Sequence, residues 1–191
     1  NILNIHIHGG DKSGGLDEYS RHAITKISNI HFTATKKSAS RVIRMGEDPK
    51  YILEESIKAE DKLNKFINEI KNEFNLENNK ICLSGFSQGC MMSLNLGLTS
   101  NQEYNCIVGF SGKIINQESL KYRKKNSTKV LLIHGDSDQV VSPSFLLEAK
   151  DFLIRNKVAI ETHLIKNCDH TIPIESSSIA LNYILKNFNH H

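Results

Sequence analysis

The sequence K-I-C-L-S-G-F-S-Q-G-C-M-M-S-L-N-L-G-L runs from Lys80 to Leu98 and carries the strongest structural signal in the chain. Its short apolar run, Ile81 to Leu83, predicts a buried strand. The second half, Gln88 to Leu98, predicts a helix because apolar residues recur there at helical spacing. Between the two lies G-F-S-Q-G, Gly85 to Gly89, which is the G-x-S-x-G pattern in a strand–turn–helix setting.

The serine of this pattern, Ser87, is a candidate nucleophile. A serine hydroxyl is weakly nucleophilic, so it must stand clear of the sheet, near a base and near N–H groups that can stabilise an oxyanion. A sharp turn from strand to helix meets these needs. Gly85 and Gly89 allow close approach of the backbones, and the helix N-terminus directs its N–H groups toward the developing charge.

Two later loops carry the partners that such a serine requires. The strand-like run Val130 to Ile133 leads into H-G-D-S-D, which places Asp136 and Asp138 just past a strand. A strand-like run ending at Ile165 is followed by C-D-H, which ends at His170. Serine, aspartate and histidine in this order, each just past the carboxyl end of a strand, predict a catalytic triad.

Length, composition and charge predict the class of protein. The 191 residues are enough for one domain with a sizeable core, and no apolar segment approaches the roughly 18 residues that span a membrane. We therefore expect a single soluble domain over residues 1–191. The formal net charge of +3 is too small to indicate nucleic-acid binding. The basic run from Lys121 to Lys129 is expected to be a solvated loop, with at most transient contact with an anionic membrane surface.

The cysteines and the chain ends add two expectations. The four cysteines have no C-x-x-C spacing, and three lie in or beside apolar runs, so we expect buried free thiols and a reducing, cytoplasmic compartment. The chain begins at Asn1 without a methionine, which leaves an upstream segment open. His190 and His191 resemble the remnant of a purification tag.

The first residues predict a strand, Ile2 to Ile7, and a glycine-rich loop, His8 to Gly15, at the end where ligands bind in open parallel sheets. His6 and His8 share a strand face, but no carboxylate or cysteine follows at a spacing that suits a metal. The loop also lacks G-x-G-x-x-G and G-K-[ST], so nucleotide binding has weak support. We expect neither a metal nor a cofactor.

The rest of the chain alternates strands with helices. Residues 16–28 predict a helix, 29–34 a strand and 35–48 an irregular basic loop, and Asp48-Pro49 predicts the capped start of the longest helix, which continues to Phe74. Further strands are predicted at 106–110, 130–133 and 159–165, and helices after Ser142-Pro143 and over 174–188. About six strands alternating with helices indicate an α/β fold in three layers, with a mostly parallel central sheet.

Four segments together resemble one family. G-F-S-Q-G, H-G-D-S-D-Q-V-V-S-P, C-D-H-T-I and the opening H-G loop look like the small carboxylesterase, lysophospholipase and acyl-protein thioesterase group of α/β-hydrolases. The resemblance is good from about Asp48 to Phe188 and only suggestive before that. It implies the three-layer α/β-hydrolase fold and a small acyl ester, thioester or lysolipid as the substrate.

The resemblance also implies a role for each candidate residue. Ser87 would be the nucleophile, His170 the base and Asp138 the residue that orients it, while backbone N–H groups of Gln88 and Gly10 would form the oxyanion hole. Two neighbouring aspartates receive structural roles: Asp136 supports its turn as an acceptor, and Asp169 stands where the family usually has glycine and is expected to tolerate a left-handed backbone. His134 is expected to help hold its turn.

Two departures from the family pattern concern the front of the chain. Relatives usually carry a strand hairpin before the H-G strand, whereas this chain begins on that strand, which suggests a bare sheet edge and a surface for a homodimer. Relatives also have a longer, aromatic-rich loop where residues 35–48 are short and basic. Because that loop helps to form the acyl pocket in relatives, their acyl-chain preference does not transfer.

The sequence therefore favours a serine hydrolase that cleaves carboxylic ester or thioester bonds through an acyl-serine intermediate. Activity should fall as acid protonates His170, because only the neutral imidazole can act as a base. Two alternatives remain open: cleavage of peptides or lactones on the same scaffold, and a catalytically weak or degenerate hydrolase-like binding protein.

Overall fold

The structure, a computed structural model, describes residues 5–7, 10, 17–33, 36–54, 59–115 and 117–189. Within it the chain forms two compact units, Asn1–Leu76 (unit 1) and Glu77–His191 (unit 2). The single domain expected from the sequence stays a prediction.

Unit 1 contains a three-stranded parallel sheet in the order β1-β2-β3. Its elements in chain order are β1 (Ile5–Ile7), α1 (Asp17–Ile27), β2 (Ile30–Thr33), α2 (Lys36–Arg44), a 3₁₀ turn (Pro49–Tyr51), β3 (Ile52–Glu54) and α3 (Ala59–Phe74). The helix predicted at 16–28 and the strand predicted at 29–34 are confirmed apart from their ends. Most of the glycine-rich loop, including His8, lies outside the described residues.

Residues 35–48 do not form the irregular loop that the sequence predicted, because they contain α2. This helix buries Ser38, Ala39 and Val42 on one face, while Lys37 and Ile43 face solvent. Ala39, Val42 and Ile43 nevertheless stand at helical spacing (i, i+3, i+4), with basic and serine residues at the other positions. The prediction was wrong because it gave more weight to the basic composition of the segment than to this short amphipathic pattern.

The sequence predicted one long helix from Asp48-Pro49 to Phe74. This prediction was wrong at its start and right in its second half. Asp48 does act as a cap, accepting a hydrogen bond from the Lys50 N–H (2.9 Å), but it caps the 3₁₀ turn. Ile52 then begins β3 beside β2, so pairing with a neighbouring strand outweighs the helical pattern there. The helix itself begins at Ala59, and it buries the predicted apolar stripe: Leu63, Phe66, Ile67 and Ile70.

Unit 2 contains a four-stranded parallel sheet in the order β4-β5-β6-β7. Its elements in chain order are a 3₁₀ turn (Asn78–Lys80), β4 (Cys82–Phe86), α4 (Gln88–Thr99), β5 (Cys106–Phe110), α5 (Gln117–Arg123), β6 (Val130–Gly135), α6 (Ser144–Arg155), β7 (Ile160–Ile165) and α7 (Ile174–Asn189). The strands and helices predicted after residue 80 are confirmed, with β4 longer than expected.

Helices cover both faces of this sheet. One face contributes Cys106 and Val108 to a core cluster with Ala180 and Tyr183 of α7. The opposite face carries Ile107, which reaches α4 so closely that a Cβ at Gly97 would lie 2.5 Å from it. Because side chains alternate between faces along a strand, β5 and β6 are apolar and buried throughout, as in parallel sheets covered on both sides.

The architecture confirms the predicted α/β class, with parallel strands flanked by helices. The described residues contain seven strands, in a three-stranded and a four-stranded sheet, where the sequence indicated about six in one sheet. The additional strand is β3. The expectation that the basic run from Lys121 to Lys129 is a loop was wrong in part. Helix α5 includes Lys121 and Arg123, and its buried Leu120 anchors it.

Two further sequence expectations can be compared with the described residues. The cysteines are free and buried, as predicted: Cys82, Cys90, Cys106 and Cys168. No helix in the described part of the chain is long and apolar enough to cross a membrane.

Candidate active site

Ser87 occupies the sharp turn between β4 and α4 that the G-x-S-x-G pattern predicted. Its backbone has φ 54° and ψ −117°, a left-handed φ that is uncommon for a residue other than glycine. The turn is held by the Ser87 N–H, which donates to the Phe110 carbonyl (2.7 Å), and by the Met91 N–H, which donates to the Ser87 carbonyl (3.2 Å). The Ser87 side chain makes no capping hydrogen bond, and a strained backbone of this kind is typical of functional sites.

Gly85, two residues before Ser87, is required by close backbone contact. A Cβ at Gly85 would lie 2.2 Å from the Gly89 carbonyl carbon. A larger residue at position 85 would therefore push the two chain segments apart and open the turn. Gly112, in the loop after β5, also lies close to the turn, and a Cβ there would be 3.0 Å from the Ser87 carbonyl oxygen and 2.5 Å from the Cys90 Sγ. Burial raises the pKa of Cys90 to about 12, so this neighbouring thiol is protonated at neutral pH.

Asp138 lies in the loop after β6, with a fully buried side chain. Its Oδ1 accepts hydrogen bonds from the backbone N–H groups of Val140 and Val141, both at 2.9 Å. Its Oδ2 lies 2.7 Å from Nδ1 of His170. Burial alone would raise the pKa of Asp138, but the hydrogen bonds from His170, Val141 and Val140 outweigh it, so the pKa is lowered from its ordinary value. The carboxyl group is therefore ionised and can orient an imidazole.

The other aspartate of this loop has the role that the sequence assigned to it. Asp136 is exposed and accepts a hydrogen bond from the Ser137 hydroxyl (2.8 Å) within the turn. Of the two candidates, only Asp138 is hydrogen-bonded to His170 in the described structure.

The loop after β7 brings His170 to Asp138. It packs on the loop after β6 so tightly that a Cβ at Gly135 would lie 2.2 Å from the Cys168 carbonyl oxygen. The Ser137 N–H donates to that same oxygen (3.0 Å). The left-handed residue of this loop is Asn167, with φ 51°, and Asp169 does not have a positive φ. The expectation that Asp169 takes over the conformation of a glycine was therefore wrong, because the reversal occurs two residues earlier.

Two further side chains contact this pair: Phe86, which the sequence did not single out, and His134, which holds its turn as expected through the Val141 carbonyl (2.9 Å). Phe86, the residue before Ser87, packs its ring on the imidazole of His170, with ring centroids 4.6 Å apart and planes tilted by 44°. His134 lies 3.2 Å from Oδ2 of Asp138 through its Nε2. The adjacency of Phe86 to the serine and the four-residue spacing from His134 to Asp138 were the available signals.

The proposed oxyanion donors have different surroundings. Gln88 opens α4, so its backbone N–H has no partner within the helix and is available to an anion. Gly10 lies in unit 1 and has φ +75°. It must be glycine because a Cβ would lie 2.3 Å from the Ser38 carbonyl oxygen. The role of either N–H in an oxyanion hole stays a prediction.

The residues considered for a metal site have other contacts where they are described. His6 Nδ1 lies 3.1 Å from the Thr25 hydroxyl oxygen, and His8 lies outside the described residues. Among the residues that the structure describes, no group of three or more His, Cys, Asp or Glu side chains could hold a metal ion.

Comparison with known proteins gives two kinds of relative. Residues 44–188 match the model of the phospholipase/carboxylesterase family. An acyl-protein thioesterase 1 from Yarrowia lipolytica is 29% identical over 114 residues, which cover 57% of this chain and 50% of the relative. A UDP-N,N'-diacetylbacillosamine 2-epimerase (hydrolyzing) from Legionella pneumophila is 40% identical over 88 residues, covering 44% of this chain and 23% of the relative. The chain thus spans half or less of these relatives.

Among solved structures, the crystal structure of esterase PE8 superposes with a TM-score of 0.71. It is 22% identical and covers 96% of this chain, which in turn covers 91% of that protein. At this identity the likeness concerns the fold.

Proposed function

The chain belongs to the phospholipase/carboxylesterase family of α/β-hydrolases, and from this premise we propose that it hydrolyses carboxylic esters or thioesters through an acyl-serine intermediate on Ser87. The observation that carries the proposal is the 2.7 Å hydrogen bond between Asp138 and His170. The pair lies at the carboxyl edge of the sheet in which β4 ends at the strained Ser87. That edge is where ligands bind in parallel sheets.

In the proposed reaction, His170 removes the proton from the Ser87 hydroxyl while the oxygen attacks the acyl carbonyl carbon. Because Nδ1 is hydrogen-bonded to Asp138, Nε2 is the nitrogen that accepts this proton and then donates it to the departing alkoxide or thiolate. The backbone N–H groups of Gln88 and Gly10 are the proposed donors to the oxyanion. Water then attacks the acyl-serine and gives its proton to the same nitrogen, which returns it to the Ser87 oxygen as the bond to the acyl group breaks and the acid leaves.

The proposed substrates are small acyl esters, acyl thioesters and lysolipids. They correspond to the family description and to the name of the thioesterase relative. A panel that also contains an amide and a lactone distinguishes ester cleavage from the other reactions that this scaffold supports. Faster cleavage of the amide or lactone would overturn the ester and thioester assignment.

The test of the proposal is covalent labelling by a fluorophosphonate, followed by intact-mass measurement. We expect one label on the parent chain and none on Ser87→Ala or His170→Ala. Asp136→Asn is the matched control, because this exposed aspartate is near the pair without contacting His170, and it should label like the parent. A folded parent that does not label would favour the alternative, a degenerate binding protein.

A second candidate function comes from the epimerase relative. It matches 44% of the chain at 40% identity, whereas the hydrolase family model begins only at residue 44. We propose that the segment that matches the epimerase binds the uridine diphosphate group of a nucleotide sugar.

Titration calorimetry with UDP and with a UDP-N-acetylhexosamine tests this second candidate. We expect saturable binding that Ser87→Ala leaves unchanged, because this variant removes only the proposed nucleophile. No binding at millimolar ligand, or binding that Ser87→Ala abolishes, would contradict it. Because the chain covers 23% of that relative, the measured quantity is binding rather than turnover.

A further inference from the structure

A second imidazole lies against the carboxylate of the proposed triad. His134 is the next-to-last residue of β6 and stands four residues before Asp138. The side chains of His134 and Asp138 are 1% and 0% exposed. Its Nε2 lies 2.9 Å from the carbonyl oxygen of Val141 and 3.2 Å from Oδ2 of Asp138. This ring has no part in the reaction described above.

The two neighbours determine which ring nitrogen carries the proton. A carbonyl oxygen and a carboxylate oxygen can only accept hydrogen bonds, so Nε2 of His134 must be an N–H donor. An unprotonated Nε2 would place three acceptor atoms together in a buried site, which is costly. The geometry therefore assigns a ring with its proton on Nε2, directed at Val141 and lying beside the carboxylate.

This N–H closes the turn that holds the carboxylate. Val141 donates its backbone N–H to Oδ1 of Asp138 (2.9 Å) and accepts the His134 bond at its carbonyl. Val141 is thus held through both its backbone N–H and its carbonyl oxygen. Oδ2 then has His170 Nδ1 at 2.7 Å on one approach and His134 Nε2 at 3.2 Å on another. Rotation of the carboxylate would break contacts with all of these donors.

We propose that His134 is a positioning residue, whose Nε2–H holds Val141 and the Asp138 carboxylate so that Oδ2 stays directed at His170. This inference rests on the proposed hydrolase function. The same N–H also takes up part of the charge on Oδ2. Without it, that charge acts on His170 alone, which stabilises the imidazolium and moves the acid limb of the activity profile to higher pH.

Other ionisable groups surround the two catalytic loops and must stay constant in a test of pH dependence. They are one thiol and three carboxyl groups: Cys168, Asp136, Asp169 and Glu175. Variants at position 134 leave all of them in place. A shift in the pH profile would then report the contact between His134 and Asp138.

Two variants of His134 and one control separate positioning from stability. His134→Leu removes the donor, whereas His134→Gln keeps an N–H close to the position of Nε2. Ile133→Ala is the control. Ile133 is adjacent and belongs to the buried core cluster, so its truncation should lower stability without removing a contact to the carboxylate. The assay is the pH profile of kcat and KM for the ester on which the parent is most active.

We expect His134→Leu to lower kcat by ~10–100-fold with little change in KM, as for a misaligned catalytic group. The midpoint of its acid limb should rise by about half a pH unit. His134→Gln should recover most of both effects, and Ile133→Ala should show neither. The inference is overturned if His134→Leu matches Ile133→Ala, or if glutamine restores nothing.

The parent chain separates this inference from the proposed function. A parent without hydrolysis on any substrate contradicts the hydrolase, whereas an active parent with an unaffected His134→Leu contradicts the positioning role alone. Long-range ¹H–¹⁵N spectra of the parent give a reading that needs no variant, which matters if His134→Leu does not fold. We expect the Nε2–H form of His134, and a ring protonated only at Nδ1 would overturn the inference.

Discussion

Among the described residues, carboxylate–imidazole pairs occur in both units, and the Asp138–His170 pair of unit 2 is buried in the opposite sense to the Glu47–His31 pair of unit 1. In unit 2, Asp138 is fully buried and His170 is 17% exposed, with 2.7 Å between Oδ2 and Nδ1. In unit 1, His31 is 1% exposed and Glu47 is 17% exposed, with 3.4 Å between Nε2 and Oε2. The same residue types therefore present the imidazole outward in one unit and the carboxylate outward in the other.

This reversal decides what each pair can do. A catalytic base must reach its substrate, so the partly exposed His170 on a buried, ionised carboxylate suits proton transfer. Burial lowers the pKa of His31 in spite of the nearby Glu47, and its Nδ1 has no hydrogen-bond partner in the described structure. Glu47 instead pairs with Lys26 at 2.6 Å. Burial, rather than residue type, therefore makes one pair a candidate for catalysis and the other a structural contact.

The largest expected contrast is between neutral substitutions of the two carboxylates. Asp138→Asn should lower kcat by about 10⁴-fold, because the amide cannot stabilise the correct tautomer and charge of His170. Glu47→Gln should leave kcat within about twofold, as expected for a group outside the reacting atoms. Steady-state ester hydrolysis by both variants measures this. Equal losses would show that the unit 1 pair takes part in the reaction.

The next contrast concerns the one proposed site residue in unit 1. Gly10→Ala should displace the backbone at position 10, because the new Cβ would lie 2.3 Å from the Ser38 carbonyl oxygen. If Gly10 supplies an oxyanion N–H, as proposed, kcat should fall by about 10²-fold. Leu63→Ala is the control for lost stability in unit 1, since this side chain is buried on α3. Unchanged kcat in Gly10→Ala would confine the catalytic machinery to unit 2.

A smaller effect is expected on the pH dependence of unit 1. The pKa of His31 is lowered from its ordinary 6.5, so the unfolded chain takes up a proton at a higher pH than the folded unit does. The stability from neutral His31 is then complete above pH 6.5 and decreases as the pH falls below it. Hydrogen exchange of unit 1 peptides, corrected for intrinsic rates, should show this loss, and His31→Gln should flatten it. An unchanged slope in that variant would contradict the assignment.

The same experiment has an opposite reading in unit 2. The pKa of Asp138 is lowered from 3.8, so its contribution to stability is complete above that value and is lost only as the pH falls below it. Unit 2 peptides should therefore keep their protection between pH 6.5 and 4, where unit 1 weakens. Loss of protection in both units at one midpoint would show that they unfold together.

The smallest expected effect is on thiol labelling, which reports unit 2 alone because all four cysteines lie there. The pKa of Cys90, about 12, keeps this buried thiol protonated, so iodoacetamide should modify it only when unit 2 opens. Glu47→Gln and His31→Gln should leave the labelling rate unchanged. Faster labelling in either variant would couple the stability of unit 2 to the unit 1 pair.

The residues proposed as a triad could be picked out from the sequence because short-range rules govern where they stand. The turn at Ser87 needs a glycine at position 85, and parallel strands place their carboxyl ends at one edge. Both requirements can be read along the chain. The helices α4 and α7 and the buried strands β5 and β6 were likewise recognisable, since each has enough apolar residues to show a period. The 44–188 family match agrees with where the resemblance was good.

The elements that the sequence missed have few core residues of their own. Helix α2 buries two small apolar side chains, α5 buries Leu120, and β3 has three residues. Their conformations depend on what they pack against, and such short local patterns encode that only weakly. The division into two units was also outside the reach of motif reasoning, which had assigned the opening H-G loop and G-F-S-Q-G to one family.

The order and chemical types of Ser87, Asp138 and His170 are properties of the chain itself, because each of these candidate residues follows a strand that the sequence predicts. Which aspartate pairs with His170, and how His134 and Phe86 contact that pair, depends on loops meeting across the sheet edge. Those contacts join residues from different loops, and their distances follow from packing at glycines such as Gly135. Burial then sets the exposure of each ring, and with it the difference between the two carboxylate–imidazole pairs.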